Sequence, residues 1–273
     1  MTLETLPSVR EALEAHGLWA KKAFGQHFLL DLNVTRKIAR LSGVGPGDHV
    51  IEVGPGPGGL TRALLETGAQ VTAIEKDERF QPLLDEISAA SPRLHVIFAD
   101  ALKVDEAAIA RGPAHLVSNL PYNVGTPLLI KWLTGPWTPA SLTLMFQREV
   151  ADRITHGPGE EAYGRLGVIV QATCRAQRVM DVPARAFTPA PKVESAVVRL
   201  EPRADRPSDA RLTALQAITA AAFGQRRKML RASLKALGGE ALILAAGLDP
   251  QARAEVIPID GFLALADAWI ARR

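Results

Sequence analysis

His49-Val50-Ile51-Glu52-Val53 runs straight into Gly54-Pro55-Gly56-Pro57-Gly58-Gly59. The first five residues read as a buried strand, and the glycines allow a tight turn and a close approach of backbone immediately after it. Leu60 to Glu66 then reads as a helix, and Val71-Thr72-Ala73-Ile74 as a second strand closed by Glu75. Strand, glycine turn, helix and strand make the first unit of a parallel sheet. The same alternation continues downstream. Leu94 to Phe98 precedes Asp100, Ala114 to Val117 precedes Ser118-Asn119, and Leu142 to Phe146 forms a fifth strand. Val179 to Val182 and Val193 to Leu200 have no long helix between them, which predicts an antiparallel pair at a sheet edge. The fold class is therefore α/β.

On the amino-terminal side, Val9 to Ala15 predicts a short amphipathic helix. Asp31 or Asn33 can cap a second helix with Val34, Ile38 and Leu41 on one face, broken by Gly43 to Asp48. Arg148 to Ile154 reads as helical. The polar segment Arg203 to Asp209 reads as a linker, and from Ala210 onward only helical periodicity remains. This predicts a large α/β domain over residues 1–203 and a small all-helical domain over 204–273. The composition suits such a chain. Hydrophobic residues make up 47% and charged residues 22% of its 273 positions, the balance of a globular protein with a full core. Net charge is only +3 although the sequence pI is about 9.2, so any basic surface has to come from local clustering. The single cysteine, Cys174, excludes an internal disulfide, fits a reducing cytoplasm and reads as a small buried hydrophobe. The first twenty residues lack the apolar segment of a signal peptide, and Ala241 to Leu248 is too short to span a bilayer. The six histidines are scattered, so no metal site is expected.

The glycine turn fits two templates. Gly54, Gly56 and Gly59 satisfy the dinucleotide pattern G-x-G-x-x-G, while Gly54, Gly56 and Gly58 satisfy the G-x-G-x-G of S-adenosylmethionine enzymes. Glu75 lies twenty-one positions after Gly54, at a strand end where it can accept both hydroxyls of a ribose. These residues point to a nucleotide-like ligand and leave NAD and S-adenosylmethionine open. Asp100 and Asn119 extend Glu75 into a row of polar groups at successive strand ends, with Asp100 for an adenine amine and Asn119 at the reaction centre. This row favours S-adenosylmethionine. Ser118-Asn119-Leu120-Pro121-Tyr122-Asn123 offers an amide, a carbonyl that Pro121 cannot cover with an N–H of its own, and an aromatic plate. An adenine needs those groups if its exocyclic amine is to attack an electrophile.

Five segments carry a family resemblance. Phe24-Gly25-Gln26-His27-Phe28-Leu29, Glu52-Val53-Gly54-Pro55-Gly56, Asn119-Leu120-Pro121-Tyr122-Asn123, Phe187-Thr188-Pro189-Ala190-Pro191-Lys192-Val193 and Phe223-Gly224-Gln225-Arg226-Arg227-Lys228 resemble, in order and spacing, the bacterial small-subunit ribosomal RNA dimethyladenosine transferases. The erythromycin-resistance methylases share the first and third elements and less of the last two, and are the runner-up. The resemblance implies a seven-stranded Rossmann-like methyltransferase sheet with a helical carboxyl-terminal domain. It also implies S-adenosylmethionine as donor and dimethylation of two adjacent adenines in a hairpin loop near the 3′ end of small-subunit ribosomal RNA. Carried over by motif, donor contacts fall on His27, Leu29, Gly54, Glu75, Asp100 and Asn119, and the glycine turn adds Gly56. Three positions depart from the family pattern. His27 stands where Asn is usual, Gly224 replaces another usual Asn, and Pro57 has no N–H to offer a ligand.

The donor's sulfonium already activates the methyl group, so catalysis reduces to alignment and to shaping the nucleophile. Hydrogen bonds from the adenine amine to the Asn119 side-chain oxygen and the Leu120 carbonyl favour a more tetrahedral nitrogen. Tyr122 stacks on the base and Phe187 closes its other face. A loop adenine costs less to extract than a paired one.

Arg226, Arg227, Lys228, Arg231 and Lys235 fall within ten residues that contain no acid. On one helix, Arg227, Arg231 and Lys235 share a side opposite Phe223, Leu230, Leu234 and Leu237. With Lys21 and Lys22 they predict contact with an RNA backbone. The expected partners are small-subunit ribosomal RNA and the immature small ribosomal subunit, with no membrane and no second copy. A binding factor that keeps a methyltransferase fold for docking, and a nicotinamide dehydrogenase, are the alternatives from other classes. The intact polar row disfavours the first, Asn119 to Tyr122 and the basic segment the second.

Overall fold

The structure, a computed structural model, describes residues 2–19, 27–110, 112–225 and 227–272. Its strands are β1 (Phe28–Leu29), β2 (His49–Val53), β3 (Gln70–Glu75), β4 (Leu94–Phe98), β5 (His115–Asn119), β6 (Ser141–Gln147), β7 (Cys174–Val182), β8 (Phe187–Thr188) and β9 (Ser195–Pro202). Seven of them form one sheet in the order β4-β3-β2-β5-β6-β9-β7. β4, β3, β2, β5 and β6 run parallel, and β9 is antiparallel to β6. The expected seven strands are present, and the two late ones are neighbours at one edge. The central run behaves as a parallel strand covered on both faces must: Val50 and Ile51 are 0% exposed.

The chain moves outward from β2 to β3 and β4, then returns to place β5 on the other side of β2. The strand order thus reverses between β2 and β5, and the crevice outside their carboxyl ends is where a sheet of this kind binds ligands. Residues 53–59 and 119–124 are the turns at that crevice.

Helices α1 (Val9–Ala15), α2 (Leu32–Ser42), α3 (Gly59–Glu66), α4 (Gln81–Ala90), α5 (Glu106–Ala110) and α6 (Gly125–Thr134) punctuate the first half. α1 matches its predicted bounds, and Ser8 caps it by accepting from the Glu11 N–H. Asp31 caps α2 through the Asn33 N–H, and Gly43, at φ 72°, ends it. The glycine turn is required to be glycine: φ is +70° at Gly54, +52° at Gly56 and +83° at Gly58. A Cβ at Gly59 would sit 2.8 Å from the Leu29 carbonyl oxygen, so α3 begins in contact with β1.

The remaining helices are α7 (Arg148–Thr155), α8 (Arg165–Thr173), α9 (Asp209–Gly224), α10 (Leu230–Ser233), α11 (Gly239–Ala245) and α12 (Ile259–Ile270). The chain divides into two compact units that are not simple sequence halves. The first comprises the chain to Leu129, Pro139–Ala151 and Arg178–Leu200; the second comprises Ile130–Thr138, Asp152–Gln177 and the chain from Glu201. The second therefore reaches back before residue 204. The reason is packing: Tyr163, Val168, Ile169 and Ala172 join Leu212, Leu215, Ile218, Leu230, Leu234, Phe262 and Leu265 in one buried cluster. The first unit has its own core, drawn from α1 to α4 and the inner strands. Cys174 is buried, and burial pushes its thiol up to about 11, as expected of a packing residue. Among the described residues no helix is long and apolar enough to cross a membrane.

Candidate active site

A cavity of about 640 Å³ opens in the first unit at the carboxyl ends of the central strands. It is lined by His27, Phe28 and Leu29, by residues 52–57, by Glu75 to Phe80, by Asp100 to Leu102 and by Asn119 to Val124. Glu75, Asp100 and Asn119, selected as a row at strand ends, thus share one cavity with the glycine turn. The two turns touch: a Cβ on Gly54 would lie 3.3 Å from Pro121 Cδ.

Glu75 ends β3 and is 7% exposed. Its carboxylate is held by three backbone N–H donors, Gly56 at 3.0 Å, Lys76 at 2.8 Å and Asp77 at 2.8 Å. The Gly56 bond ties the glycine turn to the acid of the next strand and accounts for their joint appearance in the sequence. Burial raises the carboxyl above its ordinary pKa, and the three N–H donors oppose that shift. Asp100 lies past β4. It accepts from Lys76 Nζ at 2.9 Å and from the Leu102 N–H at 3.1 Å, and the lysine bond leads in lowering its pKa. It is therefore both a turn cap and a cavity residue.

Asn119 closes β5 and is half-buried. Ser118 Oγ donates to the Val53 carbonyl, fastening the start of the 119–123 turn to the end of β2. Val124 and Gly125 donate to the Pro121 carbonyl at 3.1 Å, turning the chain into α6. Leu120 is 2% exposed. Tyr122 lines the cavity, its hydroxyl 2.6 Å from Ser195 Oγ. Leu29 and Phe187 pair across β1 and β8. Phe187 is 3% exposed and stands behind the lining rather than in it, so its ring faces the core. His27 lines the cavity and its ring reaches the Pro189 carbonyl.

Glu52, a buried acid in the lining, was not singled out as a site residue in the sequence. Glu52 is 1% exposed, and Thr61 Oγ1 donates to it at 2.6 Å. Burial pushes its carboxyl up from the ordinary 4.5 to about 8; the threonine bond opposes the shift and Glu75 adds to it. The sequence did hold a signal, an acid in the middle of an otherwise buried strand. The folded protein keeps this proton while the unfolded chain loses it above about 4.5, so the associated stability is full below that pH and falls as pH rises towards about 8. Melting temperatures measured across this range without ligand should therefore drop more steeply for wild type than for Glu52→Gln. Parallel curves for the two would assign Glu52 an ordinary pKa.

The basic segment lies in the second unit. Arg227, Lys228, Arg231 and Lys235 are exposed there, while Leu230 and Leu234 are fully buried. The expected single helix is not present, and this corrects the stripe. α9 stops at Gly224 and its C-cap Gln225 leaves helical geometry, at φ −131° and ψ 65°. Met229 bridges to Arg253, and the N–H groups of Leu230 and Arg231 donate to Ala252 and Pro250. These bonds turn the chain before α10, so Arg227 sits in a turn, Arg231 in α10 and Lys235 in a single 3₁₀ turn. Charge and exposure agree with the sequence reading; helical register does not. Lys21, Lys22 and Arg226 lie outside the described residues. Among the described residues no group of three or more His, Cys, Asp or Glu is placed to hold a metal ion.

Known proteins share this chain's sequence and fold. Residues 17–270 match the family described as ribosomal RNA adenine dimethylase. The chain is 81% identical over 274 residues to the ribosomal RNA small subunit methyltransferase A of Phenylobacterium zucineum strain HLK1, spanning 100% of this chain and 96% of the relative. Among solved structures it resembles a dimethyladenosine transferase from Plasmodium falciparum, with TM-score 0.72, 24% identity, and coverage of 88% of this chain and 96% of that one. It also resembles the 23S rRNA methyltransferase ErmE, with TM-score 0.68, 29% identity, and coverage of 89% and 99%.

Proposed function

This chain belongs to the ribosomal RNA adenine dimethylase family, and we propose that it dimethylates the N6 amines of two adjacent adenines in a hairpin loop near the 3′ end of small-subunit ribosomal RNA, with S-adenosylmethionine as donor. The observation that carries the reading is the meeting of Glu75, Asp100, Asn119 and the glycine turn in one cavity at the reversal of strand order. The residues suit the donor. Glu75 is a buried, oriented carboxylate for ribose hydroxyls. Gly54 and Gly56 have positive φ and no side chain to fill the approach. Asp100 serves the donor's adenine amine, and backbone at His27 and Leu29 completes the wall.

Bound there, the donor supplies a methyl group activated by its sulfonium. The protein's own part is positioning and polarity. The Asn119 side-chain oxygen and the Leu120 carbonyl accept from the target amine and direct its lone pair. Tyr122 stacks on the base, while Phe187, expected from the sequence to close its other face, packs in the core behind the cavity. Basic residues of the second unit hold the RNA backbone. The neutralising variants Arg227→Ala, Arg231→Ala and Lys235→Ala should each lower RNA affinity and reduce the salt slope by about 0.7–0.9, with donor affinity unchanged. A triple variant that keeps wild-type affinity across a salt titration would leave these cations as a solvated face.

We place the protein in the cytoplasm, as a monomer acting on the immature small subunit. A large-subunit methylase is the second reading, favoured by the likeness to ErmE. The small-subunit name of the relative 81% identical to this chain weighs against it. Mass spectrometry of ribosomal RNA from cells lacking the protein separates the two. Loss of N6,N6-dimethyladenine from small-subunit RNA supports the proposal, and loss from large-subunit RNA alone supports the rival.

A further inference from the structure

Tyr122 is held by two residues far from it in sequence, Ser195 and His27. Its hydroxyl meets Ser195 Oγ at 2.6 Å. Ser195 opens β9, is 0% exposed and is paired in register with Gln147 of β6, so the partner of the phenol is itself built into the sheet. A second ring packs beside that of Tyr122. The His27 imidazole lies 5.8 Å away between ring centroids, with the planes inclined by 32°. His27 is held in turn, because its Nδ1 lies 2.7 Å from the Pro189 carbonyl. A carbonyl oxygen only accepts, so Nδ1 carries the proton and that ring nitrogen is committed. Tyr122 otherwise stands on a turn, free to rotate about two side-chain bonds. One contact fixes its tip and the other packs a second ring beside it.

We propose that Ser195 and His27 are positioning residues for methyl transfer, setting the plane of Tyr122 against which the target adenine stacks. The proposal rests on the reading of Tyr122 as the stacking partner of the base. A ring already locked in its working plane loses no rotational freedom when the base arrives, and misplacement of the base costs rate. Ser195 is suited to the task because its hydroxyl completes the phenol's hydrogen bond inside the fold. The Tyr122 and Ser195 hydroxyls form one interaction, so removing either removes the same effect.

The test is a double-mutant cycle with Ser195→Ala and Tyr122→Phe, alongside His27→Ala and Tyr122→Ala, read as single-turnover methyl transfer at saturating donor and RNA. A second readout needs neither donor nor RNA. The chain has two tyrosines, so a 3-fluorotyrosine label gives two fluorine resonances, assigned by the loss of one in Tyr122→Phe. Ser195→Ala and Tyr122→Phe should each slow transfer by ~2–10-fold, the scale of one net hydrogen bond, and the double variant should be no slower than the slower single one. Donor affinity should stay within ~2-fold. The Tyr122 resonance should shift in Ser195→Ala and in His27→Ala, with that of Tyr163 unmoved. Multiplied slowing in the double variant, or an unmoved Tyr122 resonance, overturns the proposal. If Tyr122→Ala is slow while Ser195→Ala and His27→Ala match wild type, the stacking role stands and the positioning role falls. If Tyr122→Ala itself matches wild type, both fall together.

Discussion

Replacing Asn119 by Ala should slow single-turnover methyl transfer by ~10²-fold or more, the scale of losing one preorganised polar group at a reaction centre. Asn119 ends β5 at the reversal of strand order, and the turn after it is fastened to β2 through Ser118 and Val53. Its amide is therefore presented by a rigid element, and the change removes a hydrogen-bond acceptor without unsettling the strand that carries it. RNA affinity should barely change, because Asn119 is not one of the cations proposed to hold the RNA backbone. Donor affinity should fall modestly, since Asn119 borders the same cavity as Glu75 and Asp100. Rates at saturating donor and RNA, on small-subunit particles, isolate the transfer step from both binding terms. A rate equal to wild type would reduce Asn119 to the end of a strand.

The second large effect is expected at Glu75. Glu75→Ala should weaken donor binding by roughly 1.5–3 kcal/mol, the scale of hydrogen bonds to a charged group, or roughly 10- to 150-fold in Kd. Part of that loss comes from the site itself. The carboxylate orders three N–H groups, one of them on Gly56, so the alanine variant also loosens the glycine turn. Glu75→Gln separates the contributions: its amide oxygen can still accept from backbone, but it presents a donor where a ribose hydroxyl needs an acceptor. Calorimetry on both variants, with melting temperatures beside it, should find donor affinity lowered in each and NAD bound weakly by all. Tight NAD binding by wild type, with no response to S-adenosylmethionine, would remove the assignment of the cavity.

The elements that carry this site were legible because each is local. β2, β3 and β4 are apolar runs, and Glu75, Asp100 and Asn119 stand at or just past strand ends, where a short polar interruption is visible in sequence. What stayed hidden depends on distance along the chain. Ser195 lies 73 positions from the tyrosine it holds, and His27 lies 162 positions from the Pro189 carbonyl. β1 and β8 are two residues each, too short to show any period, and exist because they pair with one another. α8 is apolar on nearly every side and reads as neither an amphipathic helix nor a strand; its identity comes from burial among the helices of the second unit. The segment from Phe223 to Leu237 failed in the opposite way. Its periodicity is helical, yet backbone bonds to residues 250–253 turn the chain after Gly224. Propensity yielded there to tertiary hydrogen bonding.

Delivery of methyl groups from this cavity to adenine N6 in small-subunit ribosomal RNA is the step on which the proposed function turns. Its most direct test is to incubate purified protein with S-adenosylmethionine and small-subunit particles from cells lacking the activity, then weigh the nuclease fragments of the RNA by mass spectrometry. Two neighbouring N6,N6-dimethyladenosines are expected in one fragment near the 3′ end, formed by wild type and strongly reduced with Asn119→Ala. RNA left unmodified by wild type, or equal modification by wild type and Asn119→Ala, would contradict it.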